Sequence, residues 1–103
     1  MPCKAWAENE VLRLRSLGED ARLLHIEPIG APATGTFLLE NGSVHPMSME
    51  WTFHYAVIVG SAVRDESYPD GIDLDVYKSK FTYHEDLRFT ILPATAVQRV
   101  PKL

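Results

Sequence analysis

The stretch whose reading decides the fold is Trp51-Thr52-Phe53-His54-Tyr55-Ala56-Val57-Ile58-Val59-Gly60-Ser61-Ala62-Val63-Arg64-Asp65. Alternation from Trp51 to Val59 predicts a strand with Trp51, Phe53, Tyr55, Val57 and Val59 on one face. Thr52, His54, Ala56 and Ile58 fall on the other. Gly60-Ser61 is a two-residue hairpin connection, so Ala62 to Asp65 returns antiparallel. That loop sets Val59 opposite Ala62, Ile58 opposite Val63, Val57 opposite Arg64 and Ala56 opposite Asp65. His54 shares a face with Ala56, which makes Asp65 its diagonal cross-strand neighbour. Diagonal Cβ atoms lie roughly 7 Å apart, a gap that His and Asp side chains close with one hydrogen bond. A slip of one residue would turn Asp65 to the wrong face.

Outward from the hairpin, Pro2 to Leu17 predicts an amphipathic helix. Cys3, Trp6, Ala7, Val11, Leu14 and Leu17 recur at three- and four-residue steps, with Lys4, Glu8, Glu10, Arg13 and Arg15 on other faces. Pro2 suits the first helical position and Gly18 the stop. Ala21 to Pro28 predicts a strand, Ile29 to Gly35 a loop, and Thr36 to Glu40 a short strand closed by Asn41-Gly42. Ser43 to Met49 is irregular, with Pro46 breaking any ladder. Glu66 to Gly71 reads as a polar loop whose turn is Pro69-Asp70-Gly71. Asp73 caps a short helix from Leu74 to Phe81, and Leu87 to Leu92 alternates as a last strand before an indistinct tail from Ala94 to Leu103. The expected fold is α+β, with the first helix on the His54 face of a small antiparallel sheet and one short extra helix.

Composition narrows the function classes. The 103 residues, 46% apolar and 23% charged, form one globular domain over residues 1–103 with no internal repeat. Ten Lys and Arg against 14 Asp and Glu give a net charge of −4, which argues against nucleic-acid and membrane partners. The longest aliphatic run, Ala56 to Val59, is too short for a membrane span or a signal-peptide core. One cysteine excludes an intrachain disulfide and a Cys-rich zinc site. No pair among His25, His45, His54 and His84 shows the spacing of a helix-borne zinc motif, and no phosphate loop or nucleophilic-serine elbow is present, so neither metal nor cofactor is expected.

The chemistry-bearing residues are Cys3, His54 and Asp65. A thiol in the first turn of a helix faces unpaired N–H groups and the positive end of the macrodipole, which favour the thiolate. An imidazole beside it would complete an activated pair, and a carboxylate on the second ring nitrogen would fix the tautomer. Each residue also has a plain structural reading. Cys3 can be a small buried hydrophobe, His54 a hydrogen-bonded strand residue, and Asp65 the start of the turn into Glu66-Ser67. Arg13 and Arg15 read as a solvated helix face, and the aromatic stripe as strand packed on core.

From Cys3 to about Ile91 the chain resembles the papain-fold toxin domains of bacterial polymorphic toxin systems, within the papain-like, transglutaminase-like cysteine hydrolases. The resemblance rests on Cys3 and Ala5 opening a helix that ends at Leu17-Gly18, and on the strand Arg22 to Ile26. It continues through His54-Tyr55-Ala56-Val57-Ile58-Val59 and Gly60 to Val63-Arg64-Asp65, then Tyr68-Pro69-Asp70-Gly71-Ile72 with Tyr77 and Phe81. It implies Cys3 as nucleophile, His54 as base and Asp65 as the residue that orients it. It also implies a peptidase or protein glutamine deamidase with a protein or peptide substrate and a cognate immunity protein. The domain would be cytoplasmic as sequenced, or delivered into a target cell as part of a larger protein. Two features depart from the family pattern. Only Met1-Pro2 precedes Cys3, where papain-like enzymes carry an oxyanion-hole side chain, leaving the Cys3 N–H as one donor. Glu66 stands where an amide residue tends to follow the Asp. The competing expectation is a non-catalytic interaction or immunity-type domain on the same fold.

Overall fold

The structure, a computed structural model, describes residues 3–30, 33–39, 41–45 and 51–97, with Cys3 described in its backbone alone. Expectations for Pro2, Glu40, Pro46 and the end of the tail lie outside the described residues. Helix α1 (Cys3–Ser16) leads into β1 (Ala21–Pro28). The hairpin β2 (His54–Val59) and β3 (Ala62–Asp65) follows, then β4 (Tyr68–Asp73), α2 (Leu74–Ser79) and β5 (Leu87–Ile91). The five strands form one sheet in the order β4-β3-β2-β1-β5, and every pairing is antiparallel.

The chain leaves α1 through a Gly18-centred C-cap. Gly18 takes φ +87°, the Glu19 N–H reaches the Leu14 carbonyl at 3.1 Å, and the Gly18 N–H reaches that of Arg15 at 2.9 Å. These bonds satisfy two of the carbonyls orphaned at the helix end and turn the chain back sharply. As a result α1 runs antiparallel to β1. Its last turn sits over Ala21, to whose carbonyl Arg15 Nε donates at 3.0 Å. Arg15 also donates to the carbonyls of Val97 at 2.6 Å and Ala94 at 2.9 Å. The solvated role expected of Arg15 is therefore corrected: its planar fork gathers carbonyls from two distant segments. Arg13 is exposed as expected, paired with Glu10 at 2.7 Å.

The two faces of the sheet carry separate cores. Ala7, Val11 and Leu14 of α1 pack on Ala21, Leu23 and Val57, with Tyr55, Val59 and Leu92 at the margin. The opposite face carries Leu24, Ile26, Ala56, Ile58 and Val63. It is covered by Phe37, Tyr68, Tyr77 and Phe81 from the Thr34–His45 segment, β4, α2 and the turn after α2. The expectation that α1 lies on the His54 face is thereby corrected. The helix packs on the Tyr55, Val57 and Val59 side of β2, because the His54 side is filled by aromatic rings from the middle of the chain.

Two further expectations change. Tyr68 to Asp73 is an edge strand, paired Ala62 with Asp73, Val63 with Ile72 and Asp65 with Tyr68, with a register shift between Val63 and Asp65. Pro69 and Gly71 (φ +95°) fall inside the shifted part, and an edge position tolerates a residue without an N–H. The segment expected as a strand from Thr36 to Glu40 contributes instead the isolated bridges Phe37 to Phe81 and Leu38 to Val44. Asp73 does cap α2, its carboxylate accepting from the Asp75 N–H at 3.0 Å. Among the described residues, no helix is long and apolar enough to cross a membrane.

Candidate functional site

The hairpin register is the one its loop dictates: Val59 pairs with Ala62, Ile58 with Val63 and Val57 with Arg64. His54, the first residue of β2, and Asp65, the last of β3, consequently meet on one face. His54 Nε2 stands 3.5 Å from Asp65 Oδ2, and the two residues are 4% and 3% exposed. The Asp65 carboxylate is surrounded by donors. Oδ1 accepts from the backbone N–H of Ser67 at 2.8 Å and of Tyr68 at 2.9 Å, and Oδ2 accepts from the Tyr77 hydroxyl at 2.8 Å. Burial pushes its pKa up, but the His54 imidazole and the donors from Tyr77 and Ser67 outweigh it, leaving the carboxyl below its ordinary value. The plain reading of Asp65 as a turn residue and its reading as a partner of His54 both hold, one on each oxygen.

Sequence reasoning anticipates the turn after Asp65 but not its aim at the carboxylate, and it misses Tyr77 and the place of Trp51. Tyr77 reaches Asp65 because the Asp73 cap fixes the phase of α2 and sends its buried phenol toward the sheet. The Ser67 and Tyr68 N–H groups are supplied by the tight turn into β4. Alternation predicts Trp51 on the opposite face from His54, and the structure corrects this. The strand begins only at His54, so the alternation does not extend back to Trp51. Instead the Trp51 carbonyl accepts from the Thr34 N–H at 3.0 Å, and its ring stacks on the imidazole, with centroids 4.1 Å apart and planes 11° from parallel. Phe37 and Phe81 complete the walls, with centroids 6.4 and 6.3 Å from that of His54.

Cys3 opens α1 on the other side of the sheet, and its side chain lies outside the described residues. Its helix nevertheless starts at the His54 end of the sheet. The last turn of α1 is at Ala21, the opposite end of β1, and Lys4 Nζ lies 5.6 Å above the Tyr55 ring, one residue along from His54. A second imidazole belongs to the α1 face: His25 pairs with Tyr55 and stacks on its ring at 4.7 Å. Of the three residues singled out from sequence, the structure brings two together, His54 and Asp65, and puts the helix bearing the third at the same sheet end across the strand layer. No group of three or more His, Cys, Asp or Glu among the described residues could hold a metal ion. No protein-family model, curated protein or solved structure matches the chain.

Proposed function

We propose that the chain is a cysteine hydrolase of the papain-like, transglutaminase-like kind, acting on a protein or peptide substrate as peptidase or glutamine deamidase. In that role it serves as a bacterial toxin or effector domain, with an immunity protein as its partner. The observation that carries the proposal is the buried His54–Asp65 pair, assembled from adjacent strands in the register that an activated thiol's base would need. Cys3 supplies the thiolate from the first turn of α1. The thiolate attacks a carbonyl carbon, and the imidazolium of His54 gives its proton to the departing amine or ammonia. Water activated by the same ring then releases the acyl group. Asp65, held ionised, orients the imidazole and balances its charge.

Alkylation of Cys3 followed across pH tests the proposal. The thiol is expected to ionise well below about 8.5, to return toward that value in His54→Ala, and to be unmoved in His25→Ala. An ordinary thiol pKa, or one that answers to His25 and not to His54, sinks the assignment. Growth of a bacterial host expressing the wild type against Cys3→Ala separates enzyme from scaffold. The second reading, a non-catalytic interaction domain, is favoured by one observation: the body of α1 packs across the sheet from His54. On that reading Cys3→Ser leaves every cellular effect intact.

A further inference from the structure

We infer that Tyr77 is a positioning residue that sets the strength of the His54–Asp65 pair by occupying the carboxylate oxygen the imidazole faces. The inference deepens the functional reading above and rests on it for its catalytic meaning, although the physical claim concerns only these three side chains. The Tyr77 hydroxyl donates to Asp65 Oδ2 at 2.8 Å, a full-strength hydrogen bond. His54 Nε2 stands 3.5 Å from that same oxygen, beyond the roughly 2.7–3.2 Å of a normal N–H···O bond. Phenol and imidazole therefore share one oxygen, and the phenol holds the closer place. The other oxygen is taken by the Ser67 and Tyr68 N–H groups, which fixes the carboxylate plane and leaves Oδ2 as the oxygen that phenol and imidazole share.

Sharing of Oδ2 has an electrostatic consequence. A phenol proton on the carboxylate draws off negative charge, which lowers the basicity of Asp65 and weakens its hold on an imidazolium. Tyr77 thereby keeps His54 less basic than an unshared His–Asp pair would be, so that the ring can accept a proton and then release it. The neighbouring Tyr68 hydroxyl donates to the Leu38 carbonyl at 2.9 Å, and the His45 ring lies 4.8 Å from that of Trp51, tilted by 51°. Phe37 and Phe81 are apolar walls. Tyr77 is fully buried, so water does not replace its hydroxyl without a rearrangement.

The test is an NMR pH titration of the His54 ring and the Asp65 carboxyl in wild type, Tyr77→Phe and Tyr68→Phe. Tyr77→Phe is expected to raise both midpoints by about one pKa unit, while Tyr68→Phe, which removes a hydroxyl bonded elsewhere, leaves them in place. In an Asp65→Asn background the effect of Tyr77→Phe on His54 is expected to vanish, because it acts through the carboxylate. Unchanged midpoints in folded Tyr77→Phe, or equal shifts in Tyr68→Phe, overturn the inference. Should Tyr77→Phe not fold, the wild-type Tyr77 hydroxyl proton decides: a slowly exchanging resonance that moves as Asp65 titrates supports it, and one insensitive to that titration refutes it. None of these readings involves Cys3, so failure here is distinct from failure of the hydrolase assignment.

Discussion

Replacing Asp65 by Ala strips an acceptor from a site that was built around one. Three donors lose their partner at once: the Ser67 N–H, the Tyr68 N–H and the Tyr77 hydroxyl. The His54 ring loses the charge beside it as well. A buried donor left unsatisfied costs about 1–3 kcal/mol, and breaking a buried pair by removing one partner costs about 3–5 kcal/mol. Ser67 is half-buried and recovers part of its bond from water, so about 3–5 kcal/mol is expected overall for Asp65→Ala. Against a total of about 5–15 kcal/mol for a small domain this is a large fraction, equivalent to a fall of at least about 12 °C in Tm. Asp65→Asn keeps one oxygen for the two backbone N–H groups and is expected to cost less, about 1–3 kcal/mol. The pH dependence gives an independent check. The folded carboxyl titrates below its unfolded value near 3.9. Its contribution is therefore fully present above that value and is lost as pH falls through the folded one. Urea unfolding followed by tryptophan fluorescence from about pH 7 down to pH 2 measures both effects. The wild-type midpoint is expected to decline on the acid side more steeply than that of Asp65→Asn. A cost for Asp65→Ala under about 1 kcal/mol, or identical acid slopes in the two proteins, would refute the reasoning.

Three other perturbations separate neighbouring contributions. Arg15→Ala removes donors from the carbonyls of Ala21, Ala94 and Val97 and is expected to destabilise by about 1–3 kcal/mol in thermal unfolding, whereas Arg13→Ala, which loses only an exposed pair with Glu10, stays within about 0.5 kcal/mol. Gly18→Ala forces a Cβ into the left-handed region at φ +87° and is expected to cost about 1 kcal/mol by the same measurement, although nothing lies within 4 Å of that Cβ. Trp51→Ala uncovers one face of the His54 ring. Modification of His54 by diethylpyrocarbonate, followed by mass spectrometry, is expected to accelerate by about tenfold or more, a lower bound set by opening costs above about 1.4 kcal/mol.

The parts legible in sequence are those fixed by local constraint. The β2–β3 register follows from a two-residue loop between alternating runs, and with it the meeting of His54 and Asp65. Strand β1 and the Asp73 cap are likewise local. Strand β4 was hidden because Pro69 and Gly71 carry the signature of a turn, and only its place at the sheet edge lets them pair. Alternation misplaces Trp51 because periodicity says which residues share a face only while the strand continues, and the pairing that ends it at His54 is made with Ile26, distant in sequence on the neighbouring strand β1. Tyr77 gave no signal as a site residue, since a tyrosine in an aromatic helix reads as core. Its hydroxyl partner depends on how α2 docks.

The face chosen by α1 shows where local reasoning stops and what survives beyond it. Both faces of β2 are apolar: Ala56 and Ile58 on one, Tyr55, Val57 and Val59 on the other. Ala7, Val11 and Leu14 would pack on either. The His54 side is taken by a competitor: Phe37, Tyr77 and Phe81 fill it with ring surface that Ala7, Val11 and Leu14 do not carry. The end of the sheet at which α1 begins is a different matter. The short turn through Gly18 obliges the helix to run back along β1, whichever face it takes, so its first residue is delivered to the Pro28 end of that strand. Antiparallel pairing brings the start of β2 to the same end, with Ile26 opposite His54. Helix length, turn and hairpin register thus put the first turn of α1 and the buried imidazole at one end of the sheet by constraints that do not depend on the face. Any chemistry that joins them must pass over the first residues of β2, where Trp51 already folds against the ring.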